Sequence, residues 1–185
     1  INVTEPYKLD LHPVDGLRME AIYNVNTHSY EEMSIDLDVY NNGSQKTTIA
    51  FHLEGTALDW ATTPDNTPPI NKTDNNPYRS HIIVDIPEAD TTAGEYTLVV
   101  NGTSTADGSI YEVLAFTIVV PARYDITLNA DPLSVDLTPG ASKTIQITVE
   151  NKGNNDDTVI LSHNMPEGWT GTFDNGMDSR EVAIP

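Results

Sequence analysis

The sequence predicts an all-β protein made of two tandem antiparallel β-sandwiches, the second of which is incomplete. The first observation is an internal repeat, in which residues 34–60 return 110 residues later as 144–169. The second is the alternation of apolar and polar residues in both copies, the period of a strand with one buried face. A repeat this long is not a solenoid unit and fits one whole sandwich domain. The matched positions are Ile35 and Ile145, Leu37 and Ile147, Val39 and Val149, Asn41 and Asn151, and Gly43 and Gly153.

The repeat places one domain at 1–121, with a short N-terminal linker, and a second, partial domain at 122–185. Both domains begin with alternating apolar residues, and Pro139-Gly140 predicts a turn before the long strand of the second copy. The other strands predicted in the first copy are 17–25, 49–53, 81–86, 93–100 and 111–120.

Two turns are predicted to be hairpin connections, Asn41–Ser44 in the first copy and Asn151–Asn154 in the second. Asn and Gly tolerate a positive φ, so Gly43 and Gly153 are expected to have a structural role there. The segment Thr62–Tyr78 has hardly an apolar side chain. A loop of that length is either a binding element or mobile.

The second copy stops earlier than the first. If Pro185 corresponds to Pro87, the residues that carry the last two strands of the first sandwich have no counterpart in the second. Such a sheet would expose unpaired edges, which natural β-proteins avoid. We therefore expect the polypeptide to continue past Pro185, or a neighbouring subunit to supply the missing strands.

A tyrosine follows a glycine turn at the start of a late strand, in Ala93-Gly94-Glu95-Tyr96. Tyr96 resembles the tyrosine corner of immunoglobulin-like (Ig-like) sandwiches, where the phenol binds a nearby backbone group. Pro139-Gly140, the repeated strand with Asn151-x-Gly153, and Pro166-Glu167-Gly168-Trp169 are similar to Ig-like repeats of archaeal and bacterial surface proteins. That group includes CARDB-like adhesion-related domains and accessory sandwiches of some glycosidases. The resemblance implies spacers, adhesins, surface-layer components or enzyme appendages.

Charge and cysteine content limit the partners. The chain has 28 Asp and Glu against 9 Lys and Arg, a net charge of −19, and the excess occurs in both domains. Such a surface repels nucleic acid and anionic lipid, and it suits a high-salt setting as well as ordinary solubility. The absence of cysteine excludes disulfides, zinc–thiolate sites and thiol nucleophiles.

Three kinds of candidate site remain. Trp60 and Trp169 recur at matched positions, so a core role is favoured over a sugar-stacking platform. N-glycosylation acceptors occur at Asn2, Asn42, Asn71 and Asn101, all in the first copy, and their use would require export. Candidate calcium ligands, with oxygen donors but no EF-hand spacing, are Asp156, Asp157, Glu88, Asp90 and Asp125.

The sequence contains no catalytic constellation. Its five histidines are scattered one per segment, and the Gly-x-Ser-x-Gly motif is absent. We therefore expect a non-catalytic structural or adhesive module of an exported cell-surface protein, partnered by neighbouring Ig-like domains or subunits of the same protein and carrying N-glycans. The alternative is a carbohydrate-binding accessory module of a secreted glycosidase or protease. No cofactor is expected apart from the candidate calcium.

Overall fold

The protein is all-β, as the sequence predicts. The computed structural model describes residues 5–72, 76–87 and 91–185, so Asn2, Glu88 and Asp90 lie outside the described residues. Backbone contacts divide the chain into two compact units, unit 1 at Ile1–Pro121 and unit 2 at Ala122–Pro185.

Unit 1 contains two four-stranded sheets. Its strands are β1 (Leu9–Pro13), β2 (Arg18–Glu20), β3 (Tyr23–Asn24), β4 (Ser29–Tyr30), β5 (Met33–Asn41), β6 (Ile49–Glu54), β7 (Ala61–Thr62), β8 (Tyr78–Val84), β9 (Gly94–Ser104) and β10 (Tyr111–Val120). The sheet orders are β1-β5-β8-β7 and β2-β10-β9-β6, and β3 pairs only with β4. The first order matches strands A-B-E-D of an immunoglobulin constant-type sandwich, and β6, β9 and β10 match C-F-G. The short β2 runs parallel to β10.

The predicted long strand spans β5, and its alternate residues enter the core. Ile35, Leu37 and Val39 are at most 2% exposed. Opposite them, the predicted inward residues of β6 and the alternate residues of β9 and β10 close the sandwich, so the period-2 pattern is confirmed in unit 1. The buried members of that second layer are Ile49, Phe51, Leu53, Leu98, Val100, Phe116, Ile118 and Val120.

The Asn41–Ser44 turn is not a hairpin, so that prediction is wrong. The strands on either side of it, β5 and β6, belong to different sheets, and β12 (Gln146–Asn151) and β13 (Asp157–Ser162) are separated in the same way. The turn is held instead by the segment that enters each unit. In unit 1 the N–H of Asn42 donates to Lys8 O at 2.7 Å, and in unit 2 the N–H of Lys152 donates to Asp125 O at 2.7 Å.

An asparagine side chain closes each turn, and we call the arrangement the Asn-x-Gly turn. Asn41 Oδ1 accepts the N–H of Gly43 at 3.0 Å, and Asn41 Nδ2 donates to Gln45 O at 2.8 Å. Asn151 repeats both bonds, with Gly153 at 2.8 Å and Asn155 at 2.9 Å. An amide can accept and donate at once, so one side chain fixes the turn from within.

The glycine of this turn is required for close approach and not for a positive φ. A Cβ on Gly43 would lie 2.6 Å from Pro6 O and 2.6 Å from Tyr7 Cα, and one on Gly153 would collide with Arg123 O. Neither glycine is among the residues with positive φ. The entering segment therefore fits against the turn only because the side chain is absent.

The loop between Thr62 and Tyr78 is tied to the sandwich at two points. Thr67 is 2% exposed. Its N–H donates to Ile49 O at 3.0 Å, and its hydroxyl oxygen accepts the N–H of Ile49 at 2.9 Å. Ile70 forms a bridge with Thr47, and Ile70 O accepts from Asn41 Nδ2 at 2.9 Å. The loop thus lies along the outer edge of the chain entering β6, a role that the sequence did not indicate.

Unit 2 contains two two-stranded sheets. β11 (Ile126–Asp131) pairs with β12, and β13 pairs with β14 (Ser179–Ile184). Unit 2 leaves many apolar side chains exposed, among them Leu128 (59%), Ile160 (71%) and Ile147 (38%). β8, β9 and β10 have no counterpart strand among the described residues of this unit.

The predicted correspondence between Pro87 and Pro185 is wrong. β8, before Pro87, pairs with β5, whereas β14, before Pro185, pairs with β13. Asp157 lies opposite Ile184 just as Thr47 lies opposite Ile70. The counterpart of β14 is therefore the loop segment around Ile70.

Other predicted strands are found with shifted bounds. The segment 17–25 forms two short strands, β2 and β3, and the strand predicted at 81–86 begins earlier, at Tyr78. The strand predicted at 93–100 continues to Ser104, and the one at 111–120 has the predicted bounds.

We predict that Gly43→Ala destabilises unit 1 by about 2 kcal/mol or more, because the added methyl group meets backbone that cannot rotate away. The measurement is urea unfolding followed by circular dichroism. The matched control is Gly108→Ala, at a glycine whose Cβ would meet nothing within 4 Å. Equal stability of the two variants would contradict the role given to the Asn-x-Gly turn.

Candidate functional site

The outward face of the β1-β5-β8 sheet is lined by ion pairs. Asp38 accepts two hydrogen bonds from the Arg79 guanidinium, at 2.9 and 3.2 Å. Asp36, the neighbouring residue on the same face of β5, forms a hydrogen bond with His81 Nδ1 at 2.7 Å. On β1, Asp10 lies 3.0 Å from His12 Nε2. These groups face solvent, as the sequence indicated for Asp36 and Asp38.

The electrostatics of this face are those of ordinary exposed pairs. The hydrogen bond between His81 and Asp36 lowers the pKa of Asp36, and the hydrogen bond that His12 donates to Asp10 raises the pKa of His12. Exposed pairs of this kind contribute about 0–1 kcal/mol each. Asp36 Oδ1 also accepts the hydroxyl of Ser34 at 3.1 Å.

One carboxylate is less ordinary. Glu112, on β10, accepts the backbone N–H of Leu11 at 2.8 Å and so joins β1 to the second sheet. Burial raises the pKa of Glu112, and the neighbouring Asp10 carboxylate raises it further. Sequence reasoning missed this contact because it depends on how β1 crosses between the sheets.

Tyr96 has the contact predicted from the resemblance. Tyr96 lies near the start of β9, and its hydroxyl donates to Thr92 O at 2.8 Å, four residues upstream and just before the strand. The ring also packs on Trp60, with ring centroids 4.3 Å apart. Together the two rings cover the end of the core of unit 1.

The two tryptophans have different environments. Trp60 is half-buried and packs against the core of unit 1, whereas the side chain of Trp169 is 52% exposed in unit 2. Matched sequence positions therefore do not give matched exposure.

The described glycosylation acceptors lie in three settings. Asn42 is exposed in the Asn-x-Gly turn, Asn71 is exposed in the long loop, and Asn101 is half-buried in the middle of β9. Asn101 Oδ1 accepts the hydroxyl of Thr103 at 3.0 Å.

The structure does not bring the described calcium candidates, Asp125, Asp156 and Asp157, together into a cage. Within the described residues no group of three or more Asp, Glu or His side chains could hold a metal ion. Asp156 and Asp157 line an open cavity of about 450 Å³ in unit 2 with Tyr124 and Ile184. Asp157 Oδ1 accepts the Thr158 N–H at 2.6 Å, and Asp125 is exposed.

Neither a protein-family model nor a curated protein matches the chain. A similar solved structure is the CooA pilin subunit from enterotoxigenic Escherichia coli, at 14% identity and a TM-score of 0.42, covering 62% of this chain and 97% of that one. Another is the sialic acid binding region of Streptococcus sanguinis SK1 adhesin bound to 3'sLn, at 22% identity and a TM-score of 0.35, covering 60% of this chain and 28% of that one. Both TM-scores are low, so neither likeness assigns a partner or an activity to this chain.

Across the described part of the chain, no helix has the length and apolar character needed to cross a membrane.

We predict opposite effects of two carboxylate-to-amide changes. Because the pKa of Glu112 is raised in the folded state, Glu112 stabilises the fold below its unfolded-state pKa, and this contribution is lost as pH rises through its folded-state pKa. At about pH 7 the ionised carboxylate therefore destabilises the fold, and Glu112→Gln raises Tm. The Ser109 hydroxyl and N–H lower the pKa of Asp107, whose contribution is lost as pH falls, so Asp107→Asn lowers Tm at the same pH. Thermal unfolding from about pH 3 to pH 7 measures both, and shifts of the same sign at neutral pH would contradict the assignment.

We predict that acrylamide quenches the fluorescence of Trp169 strongly and that of Trp60 weakly. Trp60→Phe and Trp169→Phe each leave one tryptophan to be measured. Equal quenching in the two variants would contradict the exposures described above.

Proposed function

We propose that this chain is a non-catalytic structural and adhesive module of an exported cell-surface protein. Its work is that of a semi-rigid spacer or of a subunit in a surface layer or filament. The observation that carries the proposal is the path of the chain through unit 1, which runs from one end of the sandwich to the other.

The path follows from the strand pairing. Leu11 bonds Glu112 at the end of the sandwich where β10 begins, and β10 then runs ten residues to Val120 at the opposite end. At about 3.4 Å per residue this separates entry from exit by roughly 30 Å. A domain entered and left at opposite ends adds its length to a chain of domains, which is what a spacer requires.

The pairing near the two ends also suits a mechanical role. β2 and β10 are parallel, and Ala21 N–H donates to Val119 O at 2.8 Å while Thr117 N–H donates to Leu17 O at 2.7 Å. Tension between the two ends of unit 1 acts along the strands, so it loads these hydrogen bonds at the same time and does not open them one after another. Shear of this kind resists force better than sequential opening.

The entering segment is fixed in both units by the same device. Residues 5–8 in unit 1 and 123–125 in unit 2 bond to an Asn-x-Gly turn. These hydrogen bonds restrict the backbone rotation of the entering segment, which favours stiffness in a tandem array. The partners we propose are neighbouring Ig-like domains or subunits of the same protein.

The charge of the molecule limits the partners that we propose. A net charge of −19 disfavours binding to phosphate backbones and anionic lipid.

The calcium site remains a proposal, and its test is whether a chelator lowers Tm.

The second candidate function is a carbohydrate-binding accessory module of a secreted glycosidase or protease. The observation that favours it is the exposure of Trp169, since an exposed indole can stack on a sugar ring. Protection of Trp169 from acrylamide by an oligosaccharide, with no such effect on Trp60, would support this function over the spacer.

We predict that Ala21→Pro lowers the force at which unit 1 unfolds when the full chain is pulled from its two ends in an atomic force microscope. Proline removes the N–H that bonds Val119 O, so the sheared set is shorter. The matched control is Ile22→Pro, at an N–H that donates to no described residue. If both variants unfold at the wild-type force, β2 does not bear the load and the spacer proposal loses its mechanical basis.

A further inference from the structure

The outer face of the sheet formed by β6, β9 and β10 carries a patch without charged side chains. Alternate residues of β9 and β10 face the core, and the residues between them face outward. We call six of the outward residues the outer patch: Val99, Asn101, Thr103, Tyr111, Val113 and Ala115. None of the six is an Asp, Glu, Lys, Arg or His residue, in a chain with 28 acidic residues and an opposite sheet face lined by ion pairs.

The β10 side of the outer patch is solvent-exposed: Tyr111 is 62% exposed and Val113 is 47% exposed. The His52–Glu54 pair borders the patch on β6, opposite Asn101 and Val99, and the Arg18–Glu95 pair lies beyond the Val99 end of the six residues. The outer patch spans two strands about 4.8 Å apart and five residues of each strand at about 3.4 Å per residue, so it measures roughly 10 Å by 17 Å, or about 160–170 Å².

A glycosylation acceptor lies at the centre of the outer patch. Asn101 pairs with Val113 on one side and with His52 on the other. Val99 and Thr103, two residues before and after it, share its face. Any group attached to Asn101 therefore starts above the exposed apolar side chains.

The local geometry leaves the reactive atom of Asn101 free. Its Oδ1 is held by the hydroxyl of Thr103 at 3.0 Å, the hydroxyl that defines the acceptor motif Asn101-Gly102-Thr103. Its Nδ2 donates to no described residue. At Asn42 the corresponding hydroxyl, that of Ser44, is directed instead to Glu5 O at 3.5 Å.

We propose that Asn101 carries an N-linked glycan and that this glycan is what covers the outer patch. The inference rests on the proposed function in one respect, because N-glycosylation requires export. The apolar faces of the sugar rings pack on Tyr111 and Val113, and their hydroxyl groups stay in water.

The covalent step balances with one co-reactant, a sugar linked to a lipid phosphate. Asn101 Nδ2 attacks C1 of the sugar, the C–N bond forms, and the bond between C1 and the phosphate oxygen breaks. The phosphate leaves with its lipid, and the amide proton is lost to the transferase base.

Size favours a glycan over a second copy of the chain as the occupant. A stable protein interface buries about 800 Å² on each partner, several times the estimated area of the outer patch. A short oligosaccharide does not need a larger area.

The first experiment is mass spectrometry of the chain isolated from the cells that make it, after protease shaving has shown whether it is at the surface. The expected result is a peptide that contains Asn101 and carries added sugar mass. Enzymatic cleavage of the Asn–sugar bond is expected to remove that mass and convert Asn101 to aspartate. Thr103→Ala is expected to abolish the modification, and the matched control Thr103→Ser is expected to retain it.

The outcomes separate the inference from the proposed function. A chain found at the surface with unmodified Asn101 overturns the glycan and leaves the surface module standing. A chain found only inside the cell overturns both.

The second experiment tests the cover itself by nitration of Tyr111 with tetranitromethane. The expected result is that Tyr111 reacts several-fold more slowly in the glycosylated protein than in Asn101→Gln, while the tyrosine at position 124, also 62% exposed, reacts equally in both. Equal rates at Tyr111 would overturn the cover. So would a concentration-dependent dimer of the glycosylated protein that Val113→Asp abolishes, because a second copy would then occupy the outer patch.

Discussion

The carboxamide of Asn41 joins three parts of unit 1 that are far apart in sequence. It closes its own turn through Gly43 and Gln45, and it also holds the long loop through Ile70 O. Asn41 is 1% exposed, so water cannot replace a lost hydrogen bond of its amide. Each bond lost leaves a buried polar group unpaired, which costs about 1–3 kcal/mol of stability. The entering segment, the crossing between sheets and the covered edge therefore depend on one side chain. Asn151 has the same place in unit 2.

The sequence predicts the strands well where burial alternates strictly. Ile35, Leu37 and Val39 face the core as the pattern requires, and β10 has its predicted bounds. The same pattern cannot tell which strands pair. The Asn-x-Gly turn has hairpin composition, yet it connects two sheets, because the bonds that hold it come from residues entering the unit far earlier in the chain. Matching Pro185 to Pro87 failed for the same reason, since pairing is a property of contacts and not of a closing proline.

In the candidate site, too, the sequence predicts local features but not contacts between separate strands. Tyr96 was found from its glycine turn because the tyrosine corner is local, spanning four residues. The bond from Leu11 to Glu112, the packing of Trp60 on Tyr96 and the uncharged outer patch were not found, because each requires the register between separate strands. The spacing of Val99, Asn101 and Thr103 was a visible pattern that could have indicated one shared face once β9 was assigned.

The covered edge of β6 has a consequence for crowding. Domains displayed on a surface are held at a high local concentration, and a free edge strand there is a template for pairing with its neighbours. Thr67 and Ile70 occupy the backbone groups of Ile49 and Thr47 that would otherwise be offered. The long loop of unit 1 thus acts as a built-in competitor for the backbone groups at the start of β6, present at an effective concentration that no neighbouring copy can match.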